Sequence, residues 1–156
     1  MNKRSMGLFV IMVALIIFFS GVNVVIATTR SENNYTVIIH DANYADLDED
    51  GNEDDIWIYG ETITHKSNKT ISYTLNVKIE TPDGTVYCQC FHMTTTEKSQ
   101  SYYIYAYNIA YQEGWYSVTL TGIFLEGKIQ YTTPPFIFDP PTGSGSGSPT
   151  MSLVLV

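Results

Sequence analysis

The chain has 156 residues, which is enough for one domain of about 100 to 150 residues with short appendages. It carries 16 acidic against 8 basic residues, a formal net charge of −8. An acidic chain without a basic patch argues against nucleic acid as a partner, because Lys and Arg must neutralise phosphates. Tyr dominates the aromatic residues, and Val, Ile and Thr are common, which favours strands over helices.

Residues 1–27 predict a segment that exports the rest of the chain. Lys3 and Arg4 precede an apolar run over residues 8–19, and a small-residue cleavage pattern ends at Ala27. Cleavage would leave a secreted protein, whereas retention would leave an apolar helix as membrane anchor, because about 20 apolar residues cross a bilayer. Both alternatives place the following residues outside the cell, since the positive residues stay on the cytoplasmic side.

Residues 28–141 predict one β-sandwich domain. Short strands at this spacing, with turns between them, are typical of a sandwich. We therefore expect an all-β sandwich of about seven to eight strands behind the N-terminal apolar helix. Alternating apolar and polar residues mark eight short strands at 35–40, 56–64, 71–80, 86–93, 102–109, 115–121, 128–132 and 136–138.

The segment around Pro82 predicts a turn whose length decides which side of the next strand is buried. A three-residue turn pairs Ile79 with Tyr87 and puts Cys88 and Cys90 on the polar face. A two-residue turn shifts the pairing by one residue and buries both cysteines. We expect the longer turn, because Pro suits a turn better than a paired strand position.

Cys88, Cys90 and His92 alternate along this strand and so share one face. Alternate strand residues lie about 6.6 Å apart, so the outer two are about 13 Å apart and one ion cannot bridge all three without a bend. The Cα atoms of the two cysteines are thus separated by nearly the upper limit for a disulfide, about 6.8 Å. We expect a reduced pair or a strained disulfide rather than a metal site.

The heptapeptide GWYSVTL that begins at Gly114 resembles the tyrosine corner of immunoglobulin-like domains. In that family a Tyr near the start of the penultimate strand, here Tyr116, bonds through its hydroxyl to nearby backbone. The two core cysteines of antibody domains are missing. The resemblance therefore implies a fibronectin-like or macroglobulin-like immunoglobulin-like sandwich.

Residues 41–55 carry eight of the sixteen acidic residues, and these repel one another unless a cation lies among them. Acids at alternate positions followed by Gly at the sharp turn are the pattern of a loop that binds Ca²⁺ through oxygen. The candidate ligands at positions one, three, five, seven and nine are Asp46, Asp48, Asp50, the backbone carbonyl of Asn52, and Asp54.

This loop departs from an EF-hand, because Trp57 stands where position twelve needs Glu and no helix flanks it. It resembles instead the strand–loop–strand calcium loops of the FG-GAP type found in surface proteins. Asp41 or Asp55 would supply the remaining oxygen. The alternative is an acidic turn that stays solvated.

Tyr103, Tyr105 and Tyr107 share one face of their strand, and Tyr111 follows with the same alternation. We expect this face in the core, because large aromatic side chains dominate buried surface. Exposed, it would be a ligand face on which sugars stack or another protein docks.

The end of the chain predicts appendages. Residues 142–149 form a Gly/Ser linker. Residues 150–156 form an apolar stub that suggests a truncated membrane segment, a tail lying against a membrane or a neighbour, or a frayed end. Asn34 and Asn68 begin Asn-X-Thr patterns and are candidate glycosylation sites.

No nucleophile elbow, phosphate loop or zincin helix occurs, so we do not expect an enzyme. We expect an extracellular or cell-surface domain, stabilised by calcium, with an adhesive or envelope-structural role. Its partners would be other surface proteins or glycans, and its termini would attach it to a membrane. The alternative function is a carbohydrate-binding module that uses the Tyr-rich face.

Overall fold

The computed structural model describes residues 34–65, 69–126, 128–139, 145 and 147–156. Contacts divide the chain into Met1–Ser31 and Glu32–Val156, and every described residue belongs to the second unit. Within the described residues there are nine strands, and no helix there is long and apolar enough to cross a membrane. The predicted N-terminal helix lies outside the described residues.

The nine strands follow one another in the chain with short connections, apart from the segment before the last. They are β1 (Tyr35–Ala45), β2 (Asp55–Thr64), β3 (Ile71–Glu80), β4 (Val86–Thr95), β5 (Ser99–Tyr107), β6 (Tyr116–Phe124), β7 (Ile129–Thr132), β8 (Phe136–Phe138) and β9 (Thr150–Leu155).

These strands form two antiparallel sheets. One has the order β1-β2-β5-β9, and the other has the order β4-β3-β6-β7, with β8 also paired to β6. The all-β prediction is confirmed, and two antiparallel sheets are compatible with a sandwich.

The core is built from the alternating residues of both sheets. In β3 every second side chain is buried, and these five are Ile71, Tyr73, Leu75, Val77 and Ile79. Each large apolar side chain that is buried contributes about 1.5 to 3 kcal/mol relative to exposure. The period-two pattern of this segment therefore dictates both its strand and its orientation.

Aromatic rings link the two sheets inside the core. The ring of Tyr35 in β1 stacks on that of Phe124 in β6 with centroids 4.2 Å apart. The ring of Tyr73 in β3 stacks on the same Phe124 at 5.1 Å. The first contact joins the two sheets, and the second continues the stack to the neighbouring strand of the same sheet.

The turn between β3 and β4 has the expected three-residue form. The backbone N–H of Thr81 donates to the carbonyl oxygen of Thr85 at 2.9 Å, and Ile79 pairs with Tyr87. Cys88 and Cys90 are consequently exposed and free. The predicted register is confirmed.

The Tyr116 hydroxyl bonds to nearby backbone. The Tyr116 hydroxyl lies 3.2 Å from the carbonyl oxygen of Gln112 and 3.4 Å from that of Ile109, and it accepts from the Gln112 N–H at 3.0 Å. Three strands follow β6, so the strand that Tyr116 begins is not the penultimate one.

The apolar stub is a strand of the first sheet. β9 pairs antiparallel with β5, and Met151 and Leu153 pack partly buried against the core. The sequence indicated an appendage, but alternate side chains of this segment are apolar and cover the core edge. The domain therefore extends past residue 141, across the Gly/Ser segment, to the last strand.

Candidate functional site

The acidic loop (residues 46–54) connects β1 to β2. Asp41 lies inside β1, so the loop is shorter than the acidic segment 41–55. Asp55, the first residue of β2, connects the two ends of the loop through its side chain. One of its carboxylate oxygens accepts from the backbone N–H of Leu47 at 2.8 Å and of Asp48 at 3.1 Å.

Among the described residues, neither Asp55 nor Asp41 belongs to the group of carboxylates that lie close enough together to hold a metal ion. The second carboxylate oxygen of Asp55 accepts from the backbone N–H of Asn108 at 2.8 Å, which ties the loop to the end of β5. The Asp41 carboxylate accepts from the N–H of Ala42 at 2.9 Å and is exposed. Asp55 is better described as the residue that holds the loop in shape.

Within the loop, side-chain oxygens accept from the backbone and keep the turn tight. The Asp46 carboxylate accepts from the Gly51 N–H at 3.1 Å, and the Asp50 carboxylate accepts from the Asn52 N–H at 2.8 Å. Gly51 has φ of 91°, a conformation that Gly adopts without steric cost. The Gly at position six is thus explained by backbone geometry.

Asp46, Asp48 and Asp50 come together at the top of the loop. One carboxylate oxygen from each lies within 4.8 Å of the others, and all three residues are exposed. Hard cations such as Ca²⁺ take several carboxylate oxygens from a flexible loop. This triad could hold a metal ion, as the sequence predicts for these three residues.

Asp54 differs from the triad, because its side chain is completely buried. Neither of its carboxylate oxygens has a hydrogen-bond partner in the structure. Burial first, and then the charges of Asp55, Asp50 and Asp48, raise the pKa of this carboxyl above its usual value. A buried carboxylate without a partner costs free energy, so Asp54 favours either a proton or a nearby cation.

Gly145 of the Gly/Ser segment packs directly against Asp54. A Cβ added to Gly145 would lie 2.2 Å from a carboxylate oxygen of Asp54 and 2.7 Å from the Cβ of Tyr111. The backbone of Asp54 is also fixed, since its carbonyl oxygen accepts from the N–H groups of Ile109 and Ala110 at 2.9 and 2.6 Å. Gly145, which was predicted to lie in a flexible linker, is therefore packed against the domain.

The Tyr-rich side of β5 faces outward. Tyr102, Ile104 and Ala106 are the buried residues of this strand, while Tyr103, Tyr105 and Tyr107 are half-buried. The expectation that the latter set forms the core is therefore wrong. The other face of β5 is fully apolar and fills the core, and the outer Tyr rings keep their hydroxyls near water.

These rings continue across β2 as an aromatic face, which we define as Trp57, Tyr59, Tyr103, Tyr105 and Tyr107. The ring centroids of Tyr59 and Tyr103 are 5.0 Å apart, and those of Trp57 and Tyr103 are 6.4 Å apart. Tyr103 and Tyr105 are nearly parallel, at 4° and 6.0 Å. The β2 residues of this face were not predicted, although Trp57 and Tyr59 alternate with the buried Ile56 and Ile58.

A polar group borders the aromatic face. The ring of His40 lies 5.1 Å from that of Tyr59, and its Nε2 is 2.7 Å from a carboxylate oxygen of Glu61. The Ser99 hydroxyl donates to the other oxygen of Glu61. Hydrogen bonds from Ser99 and then from His40 lower the pKa of Glu61, so a charged carboxylate stands beside the rings.

The remaining predicted site residues lie apart from both features. Cys88, Cys90 and His92 are exposed on β4, and His92 Nδ1 is 3.2 Å from the Thr74 hydroxyl. Asn34 is half-buried just before β1. The other candidate glycosylation site, Asn68, lies outside the described residues.

No protein-family model, curated protein or solved structure matches this chain.

Proposed function

We propose that this chain is an exported, non-enzymatic domain of the cell surface, which calcium stabilises and which serves adhesion or envelope structure. The single observation that carries the calcium part is the Asp46, Asp48 and Asp50 triad, whose carboxylate oxygens lie within 4.8 Å of one another. Asp54 of the same loop, a buried carboxylate without a partner, supports it. The export part is supported by the charged and apolar segment at residues 1–27.

The donor set fits Ca²⁺ chemically. Asp46, Asp48 and Asp50 offer exposed carboxylates, Asn52 offers a backbone carbonyl, and Asp54 offers two buried oxygens that no donor occupies. A bound cation would cancel the mutual repulsion of these carboxylates and fix the loop. Magnesium would substitute poorly, because it demands a tighter octahedral shell of ligands.

Thermal unfolding of the full chain in mild detergent tests this proposal. We expect the melting temperature to rise when EDTA is replaced by 10 mM calcium, and to rise much less with 10 mM magnesium. Asp48→Asn should remove most of the calcium effect. The matched control is Asp83→Asn, an exposed Asp in the turn after β3, which should keep it. A melting temperature that calcium leaves unchanged would contradict the proposal.

A second function, carbohydrate binding, is favoured by the aromatic face. Sugar rings stack on exposed aromatic surfaces, and Tyr103 and Tyr105 present two nearly parallel rings. His40 and Glu61 would add hydrogen-bonding groups at the edge of these rings. On this proposal the calcium loop stabilises the domain, and the aromatic face is the surface that meets a glycan.

A glycan array with the full chain and two variants tests the second function. Tyr103→Ala should abolish binding to every glycan that the wild-type chain retains. Trp115→Ala is the control, because Trp115 is 65% exposed and precedes β6 in the other sheet. Equal binding by both variants, or no binding by the wild type, would refute carbohydrate recognition by this face.

The immunoglobulin-like architecture also remains part of the proposal. The chain makes β1 and β2 in one sheet, β3 and β4 in the other, and returns with β5 beside β2. Such crossing between sheets is typical of Greek-key sandwiches. The hydrogen bonds of Tyr116 at its corner support the same assignment.

A further inference from the structure

The open edge at β4 is the feature that neither proposed function uses. β4 pairs with β3 alone and is the outermost strand of its sheet. Two exposed, free cysteines, Cys88 and Cys90, lie on its outer face. Unpaired edges invite pairing with another strand unless they carry protecting features.

β4 lacks the protection that the edge strand β1 has. β1 is bent by an irregularity between Ile39 and Asp41, and it exposes His40 and Asp41 there. The β4 sequence VYCQCFHMTT contains neither Asp, Glu, Lys nor Pro. Two copies of this strand would therefore meet without charge repulsion inside the strand, even though each chain has a net charge of −8.

The backbone groups of the two cysteines point toward the open edge. Thr81 bonds to Thr85 across the turn, while the carbonyl oxygen of Ser72 accepts from Leu125 on the β6 side. Odd-numbered residues of β3 thus bond to β4, and their partners in β4 are also odd-numbered. The N–H and C=O groups of Cys88 and Cys90, which are even-numbered, therefore point away from β3, and the Cys90 carbonyl oxygen accepts from the Gln89 side-chain amide at 3.5 Å. A strand outside would replace this long contact.

We propose that β4 pairs antiparallel with β4 of a second copy of this chain, and that two disulfides, each joining Cys88 of one copy to Cys90 of the other, lock the pair. The two-fold axis would pass between the Gln89 residues of the two copies, so that each Gln89 lies opposite the other. Cys88 and Cys90 then lie directly opposite each other on the outer face. Both pairs are hydrogen-bonded positions of the new ladder.

The interchain geometry fits a disulfide better than the intrachain one. Cα atoms of a hydrogen-bonded antiparallel pair are about 5.5 Å apart, which is the preferred span of a disulfide. Cys88 and Cys90 within one strand are separated by about 6.6 Å, close to the upper limit of about 6.8 Å. A second copy therefore supplies the better-placed thiol.

A small-molecule disulfide such as oxidised glutathione is the oxidant for each bond. The Cys88 thiolate attacks one sulfur of this disulfide and forms a mixed disulfide with it, while the other sulfur leaves as a thiolate and takes up a proton. The Cys90 thiolate of the second copy then attacks the mixed disulfide and releases the second thiol. Each protein disulfide thus consumes one small disulfide and yields two small thiols. The oxidising space outside the cell would maintain the bond.

Non-reducing gels of the full chain in mild detergent, with oxidised glutathione, test the proposal. The wild type should migrate as a covalent dimer that dithiothreitol reverses. Cys88→Ser and Cys90→Ser should each remain monomeric when oxidised alone. An equal mixture of the two variants should give a covalent heterodimer, because each supplies the cysteine that the other lacks.

Other outcomes overturn the proposal. A covalent dimer of either single variant alone would show that like cysteines meet, which is a different register. A wild-type monomer that loses both thiols would show a bond between Cys88 and Cys90 of one chain. A wild type that keeps both thiols, or a mixture that stays monomeric, would show that the strands do not pair. Circular dichroism of each variant checks that the serine chains are folded.

Discussion

Replacing Asp54 with Asn separates the cost of the buried carboxylate from its use as a calcium ligand. Asn has nearly the same shape but no charge, so the loop and the contact with Gly145 are kept. In EDTA the wild-type carboxylate is buried without a partner, and such a group costs about 1 to 3 kcal/mol, more when it is charged. The Asn amide in this position also lacks a partner, so the substitution removes only the added cost of the charge. We therefore expect Asp54→Asn to be about 1 kcal/mol more stable than the wild type without calcium.

Calcium should reverse this order. For a dissociation constant of about 10⁻⁴ to 10⁻³ M, as in extracellular modules, 10 mM calcium stabilises the wild type by about 1.4 to 2.7 kcal/mol. A domain of this size shifts its melting temperature by about 3 to 5 °C per kcal/mol. The wild type should gain about 4 to 13 °C, and Asp54→Asn should lose most of that gain.

Differential scanning calorimetry of the full chain in both buffers measures the two effects together. The neighbouring Asp55→Asn is the matched control, because the Asp55 carboxylate accepts three backbone N–H groups and its loss should destabilise the protein in both buffers. An Asp54→Asn variant that is less stable in EDTA would refute the cost assigned to the buried carboxylate. A variant that keeps the full calcium gain would refute its role as a ligand.

Three further predictions test other parts of the structure. Leu153→Ser should lower the free energy of unfolding by about 1 kcal/mol, because Leu153 packs partly buried against the core. The control Val154→Ser should change it little, since Val154 is 51% exposed. Chemical denaturation compares the two variants. Gly145→Ala should lower the melting temperature, because its Cβ would overlap the carboxylate of Asp54; an unchanged value would mean that the Gly/Ser segment is not packed there. Hydrogen bonds from the Thr81 hydroxyl, then the Gln112 side chain and the Thr85 N–H lower the pKa of Asp83. That stabilisation is present above the unfolded pKa of about 3.9 and is lost as pH falls through the folded pKa. The melting temperature of Asp83→Asn should therefore lie below that of the wild type at pH 7 and approach it near pH 2; a constant gap would contradict this.

Much of the fold was predictable because local patterns agree with the tertiary structure. β3 was predicted with its exact ends, since its alternation is unbroken and turn residues flank it. The register to β4 followed from the preference of Pro82 for a turn, and the pairing of Ile79 with Tyr87 confirms it. Both predictions rest on period two and turn chemistry, which act over a few residues.

The buried face of β5 could not be predicted from alternation and turn residues. Over residues 102–107 both faces of this strand are apolar or aromatic, so alternation alone does not tell which one is buried. The position of the other sheet decides which face is buried. The even-numbered face of β5, with Ile104 and Ala106, packs in the core. Large aromatic residues were expected inside, but Tyr tolerates a half-buried position with its hydroxyl in water.

The last strand and the packed glycine were missed for a related reason. A Gly/Ser-rich segment reads as a flexible tether when only composition is considered. The pairing of β9 with β5 brings together residues that are far apart in the sequence, such as Tyr102 and Leu155. The close approach of Gly145 to Asp54 also joins distant parts of the chain. The roles of Asp54 and Asp55, one without a partner and the other fully bonded, likewise required the folded chain.

Calorimetric titration of calcium into the full chain, stripped of metal and held in mild detergent, tests the central claim most directly. We expect one site per chain with a dissociation constant of about 10⁻⁴ to 10⁻³ M, no comparable heat with magnesium, and no calcium heat in an Asp46→Asn, Asp48→Asn, Asp50→Asn triple variant. No calcium heat from the wild type at millimolar concentrations, or the same heat from the triple variant, would contradict a calcium site in the acidic loop.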